Sequence, residues 1–159
     1  MLASRLALYT APLAFVLAMS ACDGDDAGDD ASNDGPASIC DDEDRVDDFV
    51  VNLAKDGARH TVTLVQAEPA EPIRGDNAWT VMITDASGAA MEGIALDARP
   101  WMPDHGHGSA VEESVTELGA GEYEIEPLNL FMAGLWEVTL VLTDADGEAD
   151  EVMFAVCVE

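Results

Sequence analysis

Residues 100–108 read Pro100, Trp101, Met102, Pro103, Asp104, His105, Gly106, His107, Gly108 and contain two of the three histidines of the chain. On an extended backbone, side chains two residues apart leave the same face, so His105 and His107 can aim both imidazoles at one point. The thioether of Met102 lies three residues upstream of His105. Imidazole with thioether is a soft donor set that suits copper, Cu(I) above all. Zinc is less favoured, because it usually wants a third His, Cys or carboxylate, a place Asp104 could fill. Met132, in the irregular stretch 130–134, is a further thioether that the fold could bring alongside or use as core filler. The plainer reading of His105 and His107 is a turn whose imidazoles cap backbone carbonyls. His60 shares parity with Val62 and Leu64 and reads as a partly buried packing residue.

Other chemistry finds little support. Ser109 follows the histidine pair, but nothing marks it as an activated nucleophile. Glu112 and Glu113 are adjacent carboxylates in a chain crowded with acids, so their pairing is uninformative. No phosphate-cradling glycine loop and no dinucleotide fingerprint are present. The run D-A-D-G-E-A-D at 144–150 has its glycine too early for a calcium loop and reads as a polar hairpin tip. No enzyme is expected. With 6 Lys and Arg against 33 Asp and Glu, the formal charge of -27 excludes a duplex-DNA binder and opposes adsorption to an anionic membrane surface.

The elements that must position these residues begin well inside the chain. Residues 6–19 are uncharged, follow Arg5 and end in the small residues Ser20 and Ala21 before Cys22. Fourteen residues of helix reach roughly 21 Å, short of the roughly 30 Å hydrocarbon core, so residues 1–21 read as a secretory signal, not a spanning helix. The run L-A-M-S-A-C resembles a bacterial lipobox, which implies cleavage before Cys22, acylation of Cys22 and a membrane tether made by several acyl chains. From residue 23 to 48 there are 12 acids and one base, Arg45, so 22–48 is expected to be a flexible acidic linker.

From 49 to 159 the pattern alternates with period two between turn signals. Expected strands carry Phe49, Val51 and Leu53; Val62 and Leu64; Trp79, Val81 and Ile83; Ile94, Leu96 and Ala98. A fifth runs from Val115 through Gly119, Ala120 and Gly121 into Tyr123 and Ile125. The last two hold Trp136, Val138, Leu140 and Leu142, then residues 152–158. T-D-A-x-G recurs at 84–88 and 143–147 as turn chemistry. About seven strands with no helical period predict an all-β, immunoglobulin-like antiparallel β-sandwich, with a small barrel as the alternative. Cys40 and Cys157 flank the domain and are expected to pair in an oxidising compartment.

The run M-P-D-H-G-H-G at 102–108 and the segment 121–140 (G-E-Y-E-I-E-P-L-N-L-F-M-A-G-L-W-E-V-T-L) are similar to the YtkA-like, FixH-related family of extracytoplasmic domains. The resemblance spans most of 79–158. It implies a small immunoglobulin-like sandwich outside a membrane, in a family whose FixH branch is linked to copper transport and oxidase assembly. The matching positions are Met102, His105, His107, Met132 and a structural Trp136. The chain departs from FixH in carrying a lipobox where that branch has a spanning helix. The resulting expectation is a lipid-anchored copper carrier of the bacterial cell envelope. The competing expectation is an envelope module that binds a protein through Trp101 and holds no metal.

Overall fold

The computed structural model describes residues 38–159. The expected signal sequence (1–21), the expected lipidation site Cys22 and the expected linker up to residue 37 lie outside the described residues.

Nine strands form among the described residues, all paired antiparallel. They are β1 Ala54–Asp56, β2 His60–Glu68, β3 Gly75–Asp85, β4 Ala95–Met102, β5 His107–Gly108, β6 Ser114–Gly119, β7 Glu122–Leu130, β8 Gly134–Thr143 and β9 Ala149–Val158. One sheet has the order β1-β2-β3-β7-β6, the other β5-β4-β8-β9, so the architecture is a two-layered all-β sandwich. The expected fold class holds, and two separate sheets replace the alternative of a small barrel.

Alternation explains why each strand lies as it does. Val62, Leu64, Trp79, Val81, Ile83, Tyr123 and Ile125 from one sheet meet Ala98, Met102, Trp136, Val138, Leu140, Leu142, Val152 and Phe154 from the other in a single buried core. Burying one such large side chain stabilises by roughly 1.5–3 kcal/mol, and a slip of one residue would turn the whole set to solvent.

Irregular pairing changes the parity where strict alternation misleads. The register of β2 against β3 shifts between Leu64 and Gln66, after which the odd residue Ala67 is buried. On β7, Ile125 lies opposite Trp79 and Leu128 opposite Asn77, so β7 has one extra residue there. Its buried positions pass from Tyr123 and Ile125 to Leu128 and Leu130.

Three expectations need correction. The expected fifth strand is a hairpin, because Ala120 (φ 54°) and Gly121 (φ 80°) both adopt the left-handed region and reverse the chain between β6 and β7. The expected first strand, 49–53, does not form; Asn52 (φ 75°) breaks the extended run, Val51 is exposed, and the regular ladder to β2 begins at Ala54, preceded by hydrogen bonds from the Asn52 N–H to the Leu64 carbonyl (2.8 Å) and from the Leu64 N–H to the Leu53 carbonyl (2.9 Å). Phe49 is nonetheless anchored, with its ring 4.9 Å from that of Trp79.

The third correction concerns 38–48, the end of the expected flexible linker. These residues form a strap fastened to the sandwich. Cys40 is disulfide-bonded to Cys157, with Cα atoms 5.7 Å apart. The Asp47 N–H donates to the Ala155 carbonyl (2.9 Å), the Ala155 N–H donates to Asp47 Oδ2 (2.8 Å), and Lys55 pairs with Asp47 Oδ1. Repulsion among exposed acids is screened by salt, whereas the covalent link and the paired backbone are not, so the strap stays docked.

Candidate metal site

Strands β4 and β5 are the two arms of a short hairpin. Its pairs are Trp101 with Gly108 and Met102 with His107, and its loop is 103–106. The Met102 carbonyl accepts the N–H groups of His105 (3.2 Å) and Gly106 (2.8 Å), and Gly106 closes the turn at φ +69°. A Cβ at Gly108 would sit 2.7 Å from the Pro100 carbonyl oxygen, so this arm can lie against β4 only without a side chain there. Backbone packing therefore presents the two histidines of the H-G-H sequence from one tight turn.

Directly opposed residues of an antiparallel pair share a face, so Met102 and His107 point to the same side. Met102 is completely buried, and its methyl end fills the space left by Gly134, where a Cβ would lie 3.1 Å away. Its strand partner His107 is half-buried. The His107 ring stacks on Phe131 (centroids 5.4 Å, 22°) and meets the edge of Trp136 at 6.3 Å. The His105 ring is exposed, and its centroid is 5.8 Å from that of His107. Metal–nitrogen bonds of about 2.0–2.1 Å to two such rings can meet at one ion at this spacing. His107 Nδ1 lies 3.3 Å from the Gly108 carbonyl; with the proton on that nitrogen, Nε2 keeps its lone pair for a ligand.

The 131–133 loop packs beside the hairpin through Phe131. Met132 is partly buried against the core, and its carbonyl accepts the Trp136 Nε1–H at 2.8 Å. Trp101 is 45% exposed and leaves β4 on the side opposite Met102, with its ring lying over Gly108. Among the described residues, no three His, Cys, Asp or Glu side chains gather in a group that could hold a metal ion. The donors that do come together are two imidazoles, and the buried Met102 is the strand partner of His107.

Asp104 is held by the strap. Arg45 of the strap donates from Nη1 to its Oδ1 (2.9 Å) and from Nη2 to its Oδ2 (2.6 Å), while the same guanidinium is held by Glu43 from Nε (2.8 Å) and Nη2 (2.6 Å). The Arg45 hydrogen bonds hold the Asp104 carboxyl below the usual carboxylate range. Charge counting along the sequence gives no sign of this pairing across 59 residues. A concavity of about 430 Å³ beside the disulfide, lined by Cys40, Phe49, Glu71, Pro72, Ile73, Cys157 and Glu159, contains no imidazole or thioether.

A second polar cluster lies at the 144–150 hairpin tip. Asp144 accepts the N–H groups of Asp146 (3.0 Å) and Glu148 (3.1 Å) and pairs with Arg59 (2.8 Å), as expected of turn chemistry. Asp150 differs. It is 6% exposed, and its carboxylate accepts the N–H groups of Ala58, Arg59 and His60 at 2.8–2.9 Å, with His60 Nδ1 at 3.2 Å. Burial alone would raise its pKa, but the three backbone donors and the imidazole outweigh that and bring it down to about 2. His60 is thus buried, as expected, but it is also the polar partner of a carboxylate that joins the two sheets.

The YtkA-like family model matches residues 55–141, more than half of the chain, from β1 into β8 and across the whole hairpin. No curated protein matches the chain.

Proposed function

This chain belongs to the YtkA-like family of extracytoplasmic domains, and on that premise we propose that it is a non-catalytic copper carrier of the bacterial cell envelope. The observation that carries the reading is the 5.8 Å spacing of the His105 and His107 rings on a hairpin whose buried Met102 is paired with His107. His105 and His107 are the primary donors, Met102 supplies a soft donor from the floor, and Met132 supplies another from the adjoining loop. Such a set prefers Cu(I). The exposed face of His105 leaves one side of the ion open, as a carrier that must hand on its cargo requires. The negative charge of the whole chain draws cations toward the loop, more strongly at low salt. Acylated Cys22 and the acidic residues after it tether the domain and hold it off the membrane surface.

The test is an anaerobic Cu(I) titration against a competing chelator, on the full chain carrying Cys22→Ser so that no free thiol competes and with the disulfide left intact. The His105→Ala, His107→Ala double variant is expected to lose at least about a hundredfold in affinity, since even supporting residues cost a metal site 10–100-fold. Equal, weak retention by both forms would remove copper carriage. A second reading is favoured by the 45% exposure of Trp101, a residue type that anchors protein interfaces. In that case an envelope protein captured by the chain is lost with Trp101→Ala and is indifferent to chelator.

A further inference from the structure

We propose that Arg45 sets the metal preference of the histidine loop by withholding the Asp104 carboxylate. The purpose of this device rests on the copper reading above; its geometry does not. Asp104 is the one carboxylate in 102–108. With it, two imidazoles and a carboxylate would make the three-ligand set that a zinc ion takes. Without it, imidazole and thioether remain, a set biased toward soft Cu(I). Both Asp104 oxygens are taken by the Arg45 fork, and no three-ligand His and carboxylate group forms among the described residues.

An isolated exposed ion pair is usually weak, but this one is held from behind. Arg45 lies between two attachment points of the strap, the Cys40–Cys157 disulfide and the two Asp47–Ala155 hydrogen bonds, so little freedom is lost when it closes on Asp104. Glu43 grips the same guanidinium through two nitrogens and orients the fork. A planar guanidinium can meet both carboxylate oxygens at once, which an ammonium cannot. The strap is thereby a specificity element of the loop although it contributes no metal donor.

The experiment measures Zn(II) and Cu(I) affinities by chelator competition at physiological salt, on the full chain with Cys22→Ser. Arg45→Gln is expected to raise Zn(II) affinity about tenfold or more, because a third ligand completes the zinc set. Adding Asp104→Asn, or His105→Ala with His107→Ala, should abolish the gain. Arg99→Gln is the charge control: it removes the same charge from β4 and frees Asp97 instead, its partner at 2.7 Å, and should leave zinc unchanged. Unchanged zinc affinity in Arg45→Gln, an equal rise in Arg99→Gln, or a gain that survives Asp104→Asn would each overturn the proposal. A wild-type chain that ignores Cu(I) would defeat the copper reading alone, since the zinc gain is read without reference to copper.

Discussion

Replacing Cys40 and Cys157 together by Ser is expected to destabilise the fold by about 4–5 kcal/mol, the entropy released when a loop of this length is no longer closed in the unfolded chain. The bond spans 117 residues, nearly the whole described structure. A domain has roughly 5–15 kcal/mol of stability in total, so the variant should sit near the edge of folding. Urea unfolding followed by fluorescence checks this, because Trp79 and Trp136 are fully buried and report the core. The midpoint should fall, and the slope should rise as an uncrosslinked denatured state exposes more surface. An unchanged midpoint would show that the strap is held by its other contacts. The strap's grip on Asp104 should weaken in parallel, because Cys40 is one of the two points that hold Arg45 in place.

The Asp150 cluster yields the second large effect. Asp150→Ala removes the acceptor of the backbone N–H groups of Ala58, Arg59, His60 and Glu151 and the partner of the buried His60, and leaves them without replacement. Leaving buried groups of this kind unpaired costs about 3 kcal/mol or more. Asp150→Asn, with similar volume but no charge, isolates the ionic part and its pH dependence. The folded carboxyl titrates at about 2, and an unfolded Asp near 3.9, so on acidification the unfolded chain takes up the proton first. The contribution is whole above about pH 4 and vanishes as pH falls through 2; at neutral pH it amounts to about 2–3 kcal/mol. Denaturant unfolding of wild type and Asp150→Asn at pH 7, 4 and 2.5 should show a gap that narrows across that interval. A gap constant with pH would mean that the carboxylate's charge contributes nothing. Gly57 makes the arrangement possible, since a Cβ there would lie 2.5 Å from Asp150 Oδ2.

Particular residues show what alternation can and cannot reveal. Trp136, Val138, Leu140 and Leu142 were legible as one buried face because period two leaves a strand no other way to hide them. Leu128 and Leu130 were not, because a bulge partway along β7 exchanges its faces and depends on how the neighbouring strand pairs. The hairpin at Ala120 and Gly121 is not legible, because two glycines around an alanine fit a flexible strand as well as a turn. The H-G-H run was visible at once, yet Asp104 and Asp150 looked alike among 33 acids. One is bound by a strap arginine on the surface, the other is buried and accepts four backbone N–H groups.

The amino-acid sequence by itself determined the all-β class, the inward residues of most strands, the disulfide partners and the loop that carries soft donors. These follow from local periodicity and residue type, which do not depend on what the rest of the chain does. The tertiary structure decided that Met102 is buried in register with His107, that Phe131 and Trp136 wall the imidazole, that residues 38–48 are a docked strap, and that Arg45 holds Asp104. Each of those but the first, which a single hairpin makes, is a meeting of groups far apart in the chain. It is set by strand register and by where the disulfide pulls the strap, and neither leaves a mark in local sequence.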